Sequence, residues 1–161
     1  MGRRREGREA AIQFLFARDL QGEEKPGEPE DFWSLHSARA STRAFAENLI
    51  KGVLTHQAQI DTSITQLLEN FSFVRLAAVD RNVLRVASYE LLYCPEVPTP
   101  VILNEAIDIA KALSAGESGS FVNGVLDKLA RSLRKPEPKK VEQPVSTPDP
   151  VEAPAGAASN L

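Results

Sequence analysis

The chain has 161 residues, 42% hydrophobic and 25% charged, with a net charge of −3 at neutral pH. That length allows one domain with a real core, and the acidic balance excludes a global basic field. One cysteine, Cys94, excludes an internal disulfide; with two histidines, His36 and His56, it offers no metal-ligand spacing.

No apolar run approaches the length of a membrane span, and the basic start has no signal-peptide apolar region, so a cytoplasmic protein is expected. Residues 1–8 carry Arg3, Arg4, Arg5 and Arg8 against Glu6, a local charge of +3 in an acidic protein. A helix over 4–20 places Arg5, Arg8, Ile12 and Phe16 on one stripe, while Ala11, Phe14 and Leu15 serve the core. Guanidinium groups leading to an aromatic ring make a phosphate clamp beside a stacking surface, which single-stranded RNA can use. Two readings stay open: a solvated terminus for the arginines, and core packing for Phe16.

Residues 21–31, with two prolines, two glycines and five acids, read as a loop. Residues 32–38 read as a short helix whose Phe32 and Trp33 close over the core. Residues 41–69 read as one long helix or two in series, with Phe45, Leu49, Val53, Ile60, Ile64, Leu67 and Leu68 on the apolar face. Gly52 makes a bend there plausible. His56 reads as a surface or boundary residue.

Asp80 is suited to cap a helix running to Tyr93. That helix is apolar almost all round, with Val83, Leu84, Val86, Ala87, Tyr89, Leu91 and Leu92, and belongs at the centre of a bundle. Arg81 and Arg85 interrupt it at its edges. Pro95, Pro98 and Pro100 force a break after it.

Residues 101–134 read as two helices joined by a tight polar turn. The first uses Thr99 as N-cap and Pro100 as first helical residue, and buries Val101, Ile102, Ala106, Ile109, Ala110 and Leu113. Ser118 caps the second, whose buried stripe is Val122, Val125, Leu126, Leu129 and Leu133. Phe121 lies roughly 100° from the centre of that stripe, on the flank of Glu117 and Lys128. A ring on the shoulder of a helix is a candidate contact for something outside the fold. Residues 135–161 hold six of the 11 prolines and few large apolar groups, so a disordered tail is expected after a domain over 1–134.

Three ordered stretches carry a resemblance: RRREGREAAIQFLF, VDRNVLRVASYELLY, and NEAIDIAK followed by SGSFVNGVLDKLAR. Together they resemble the NusB family of bacterial transcription antitermination factors over most of residues 3–134. The resemblance implies an all-α fold, a compact bundle of about six to seven helices. It implies a non-enzymatic factor, with no cofactor and no metal. It further implies binding of boxA-type single-stranded RNA together with NusE, a small-subunit ribosomal protein, within an antitermination complex on RNA polymerase.

Residue by residue, it places Arg4, Arg5, Arg8 and Phe16 on one side of an RNA site, and Glu117, Ser118, Phe121 and Asn123 on the other. Asp80, Arg81 and Phe16 fall at the NusE contact. There are departures: Phe16 stands where tyrosine is common, Glu117 where aspartate is common, Ser120 where a basic residue is frequent, and Glu6 dilutes the arginine cluster. Two other readings are a NusB-like domain serving ribosomal RNA modification and a helical protein-interaction module without RNA. The first requires a further Rossmann-like domain where this sequence has a proline-rich tail. No serine carries a nucleophile motif and no glycine loop fits a phosphate, so the residues themselves give no catalytic constellation. A homodimer that buries the arginine-bearing surface stays open.

Overall fold

The structure, a computed structural model, describes residues 2–22, 29–69, 72–114 and 116–133. The proline-rich tail and most of the acidic loop lie outside the described residues. Seven α-helices and no strand occur among those described: α1 Arg3–Gln21, α2 Pro29–Leu35, α3 Ala40–Thr55, α4 Gln57–Thr65, α5 Ala78–Tyr93, α6 Thr99–Leu113 and α7 Ser118–Leu133. A short 3-10 turn, Phe73–Arg75, precedes α5.

The all-round apolar helix is indeed central. α1, α3, α4, α6 and α7 all pack against α5. Its Val83, Leu84, Val86, Ala87 and Leu91 are buried. Ile12 and Leu15 of α1, Leu49 and Val53 of α3, Ile60 and Ile64 of α4, Ile102 and Ile109 of α6, and Leu126 of α7 complete one core. Trp33 is buried in it, as expected for α2.

Several local expectations shift. The 41–69 segment is two helices, but the break falls at His56, not at Gly52. The His56 N–H closes α3 on the Gly52 carbonyl at 3.1 Å, and its own carbonyl accepts from Ile60 at 3.0 Å to open α4. Gly52 serves packing: a Cβ there would overlap the Tyr89 ring, so only glycine lets that ring lie on the α3 backbone. The helix of residues 78–93 starts before Asp80, with Ala77 at the cap position. Asp80 sits in the first turn and turns its carboxylate to other elements. The cap of α6 is Pro98, extended through its ψ of 139°, with Thr99 and Pro100 as the first two residues of the helix. Val101 and Leu133 are not buried, at 42% and 41% exposed, and Leu113 is half-buried; all three sit in the end turns of their helices, where fewer elements cover the stripe.

Candidate nucleic-acid interface

The two ends of α5 organise the site residues. At its C-terminal end stands the arginine arm of α1. Arg8 is 4% exposed, and its guanidinium donates to both oxygens of Glu90 at 2.8 Å. Arg5 donates through Nε and Nη2 to Glu105 at 2.7 and 2.8 Å, and through Nη2 to Asp108 at 3.0 Å. Glu105 thus lies between the two arginines, with Arg8 Nη1 at 3.6 Å.

These contacts revise the phosphate-clamp stripe. Ile12 is 2% exposed and belongs to the core, and Arg8 is an internal ion pair turned away from solvent. The physical reason is Glu90: a carboxylate buried on the central helix needs a charge partner, and a planar two-pronged guanidinium is the best available. Burial alone would lower the Arg8 pKa; the hydrogen bonds and charge of Glu90 outweigh it and raise it. For Glu105 the hydrogen bond from Arg5 dominates over burial and holds its carboxyl below the usual value. Arg4 remains exposed, with its guanidinium carbon 4.9 Å from the centroid of the Phe45 ring. The cation-beside-ring arrangement expected of the arm therefore exists, but its ring is Phe45 in place of Phe16: Arg4 lies over it from the exposed side, and the buried Arg8 guanidinium carbon is 5.5 Å from its centroid.

At the N-terminal end of α5, about 15 Å away along the helix axis, Asp80 gathers the α6–α7 turn. Its oxygens accept hydrogen bonds from Ser114 Oγ at 3.4 Å and Ser118 Oγ at 3.2 Å. Ser118 is therefore the first residue of α7 and not its cap, and its hydroxyl holds the turn to Asp80. The Glu117 carbonyl accepts the first bond of α7, from the Phe121 N–H at 3.0 Å. Glu117 and Asn123 are exposed, and Phe121 is half-buried against the rim of the core. The shoulder position of Phe121 is what the helical period predicts.

Next to Asp80, Arg81 donates to Asp19 at 3.1 Å and to the Leu76 carbonyl at 3.0 Å. Asn82 Nδ2 donates to Asp19 at 2.9 Å, and Arg85 reaches both Asp19, at 3.0 Å, and Asp61, at 2.8 Å. Burial would raise the Asp19 pKa; the Asn82 hydrogen bond and the Arg85 charge together bring it below its usual value. Arg85 is therefore no edge residue but a buried strut joining α5 to α1 and α4. Phe16 is half-buried in a third place, a 410 Å³ groove between α1 and α2 whose apolar walls include Phe14, Phe32 and Leu35. Asp19, Asp61, Glu90 and Glu105 were missed because the sequence shows each as an ordinary surface acid. The one available signal was the spacing of Arg81 and Arg85, whose charges on a central helix demand partners.

The NusB family model matches residues 5–131, nearly the whole described domain. The chain belongs to the NusB family. It is 44% identical over 133 residues to the transcription antitermination protein NusB of Sorangium cellulosum, covering 83% of this chain and 95% of that one. It is 43% identical over 134 residues to the NusB of Geobacter sulfurreducens, covering 83% and 97%. Among solved structures, T. maritima NusB matches with a TM-score of 0.71 at 36% identity, covering 81% of this chain and 92% of that one. A structure of the antitermination factors NusB and NusE in complex with double-stranded RNA matches with a TM-score of 0.70 at 26% identity, covering 81% and 97%. The NusB fold of seven helices accordingly spans the described residues. No described helix is long and apolar enough to cross a membrane. No group of three or more His, Cys, Asp or Glu residues placed to hold a metal ion occurs among them.

Proposed function

We propose that this NusB-family chain is a transcription antitermination factor. Together with NusE, the small-subunit ribosomal protein, it binds boxA-type single-stranded RNA and helps assemble an antitermination complex on RNA polymerase, notably on ribosomal RNA transcripts. It acts in the cytoplasm by binding, without catalysing a reaction. The observation that carries this reading is the family match over residues 5–131, on a fold shared with a NusB that was solved with NusE and RNA.

The residues divide into roles. Arg4 offers charge at one end of the site, beside an Arg5 held by Glu105 and Asp108. Phe121, Glu117 and Asn123 form the other end, positioned by the Asp80–Ser118 contact. Arg8 acts through Glu90 by fixing the first turns of α1. Asp80, Arg81 and Phe16 serve the NusE side. Titration of a boxA-like RNA and a scrambled RNA, each with and without NusE, tests the proposal. Tighter binding of the boxA-like strand, strengthened by NusE, is expected; equal affinity for both strands in both conditions refutes it.

A further inference from the structure

The arm and the α7 start are separated, and the surface between them is one face of α6. Asn104, Asp108 and Lys111 recur at four- and three-residue spacing, and all three are exposed. Asp108 is the residue that meets Arg5 at 3.0 Å. Lys111, one turn further on, lies against the other end: its stem passes over Gly119 in the first turn of α7. A Cβ at Gly119 would sit 3.0 Å from Lys111 Cε and 3.1 Å from its Cγ, so the lysine stem lies in close contact with the α7 backbone. Gly119 is buried beneath it.

The charge census points the same way. Arg5, Arg8, Arg81 and Arg85 are each committed to a carboxylate. Lys111 makes no ion pair among the described residues, although Glu117 and Asp108 are near in sequence. Position 120, beside it at the start of α7, is a serine. An uncommitted ammonium therefore stands at the α6–α7 junction, where no other described element supplies one.

We propose that Lys111 is a further phosphate contact for single-stranded RNA, and that the Asn104–Asp108–Lys111 face of α6 carries the strand from the α1 arm to the α7 start. This rests on the RNA-binding reading above. The alternative is a lysine that merely faces the C-terminal end of the α6 dipole, a role that moves stability but not RNA binding.

The test uses the full chain with NusE and a boxA-like RNA, titrated over a range of salt. Lys111→Gln should weaken binding about three- to tenfold and flatten the plot of log K against log salt by about 0.7, the value for one phosphate on a single strand. Lys111→Arg keeps the charge and should bind like the parent. Lys51→Gln removes an exposed lysine on α3 and should change neither quantity. Thermal melts of each variant confirm that the folded protein is being titrated. A Lys111→Gln variant that binds with the parent's affinity and slope, while Arg4→Gln weakens both, overturns this inference alone. Equal weakening by Lys111→Arg and Lys111→Gln overturns it as well, since charge would not be the cause. A parent chain that binds no RNA overturns the functional reading and this inference with it.

Discussion

Arg8 and Glu90, 82 positions apart in sequence, meet through two parallel hydrogen bonds of 2.8 Å, with 5% and 2% of their side chains exposed. The pair ties the first turns of α1 to the far end of α5. Desolvating two charges cancels much of their attraction, so the pair itself adds little net stability. Removing one partner is a different matter, because the other buried charge loses both of its short hydrogen bonds; Arg8 would keep only Glu105, at 3.6 Å. Glu90→Ala is expected to cost about 3–5 kcal/mol. Arg8→Met with Glu90→Leu should recover most of that loss. Urea unfolding of the three proteins checks this; a single variant within 1 kcal/mol of the parent, by a rough criterion, would mean that the pair is open to water.

Gly52 and Tyr89 give a prediction whose sign depends on context. Alanine is favoured over glycine in a helix interior by about 1 kcal/mol. Here the new methyl would overlap the Tyr89 ring. That ring lies 5.6 Å from the Tyr93 ring, which in turn stacks on His56 at 4.0 Å. Displacing it should cost about 1–3 kcal/mol, the usual range for overpacking. Gly52→Ala should therefore destabilise the parent and stabilise a Tyr89→Ala background. Unfolding curves for this double-mutant cycle decide the matter; the same sign in both backgrounds would show that the ring is not the obstacle.

The sequence made the fold legible because burial follows periodicity. The α7 stripe of Val122, Val125, Leu126 and Leu129 is buried as its spacing requires, and α5 is central because it is apolar on nearly every side. The same periodicity located Phe121 on a shoulder. It was less informative for the arginines. A helical stripe says that Arg5, Arg8 and Phe16 share a face, but not what that face meets. Glu90 lies on the helix that looked most apolar, and its pairing with Arg8 spans 82 positions, so no local pattern announces it. Asp19 likewise looked like a polar residue near a helix end, yet it receives hydrogen bonds from Arg81, Asn82 and Arg85. Family resemblance supplied the site residues, and the geometry then divided them into exposed groups and internal struts.

Acid should expose that second class. The Asp19 carboxyl is pulled below its usual value by Asn82 and Arg85 against the opposing effect of burial, and the Glu105 carboxyl chiefly by its hydrogen bond from Arg5. A carboxyl whose pKa is depressed on folding stabilises the folded state fully above its unfolded value. That contribution is lost as pH falls through the folded value. Stability is therefore expected to hold steady near neutrality and to fall below about pH 4, where unfolded carboxylates begin to protonate. Asp19→Asn should be less stable than the parent at pH 7, and the two should converge as pH drops. Thermal melts across this range test the point; parallel curves at every pH would remove Asp19 from the explanation.

Phe121 and Leu126 lie on the same helix and should separate RNA binding from folding. Leu126 is fully buried on the α7 stripe, whereas Phe121 is half-buried, with part of its ring on the core rim. Leu126→Ala is expected to lose about 2–5 kcal/mol of stability. Its RNA affinity should stay near the parent's at temperatures where it remains folded. Phe121→Ala should lose less than the roughly 3–5 kcal/mol typical of a buried phenylalanine, because water already covers part of the ring. Its RNA affinity should fall by about 1–3 kcal/mol, the range for one lost base stack. Unfolding curves and boxA-like RNA titrations on both variants make the comparison. The two quantities should move in opposite order between the variants if Leu126 fills the core and Phe121 meets the RNA as proposed. If Phe121→Ala behaves like Leu126→Ala, losing stability while its folded fraction binds RNA normally, the ring belongs to the core. The α7 contribution to the RNA surface would then rest on Glu117 and Asn123 alone.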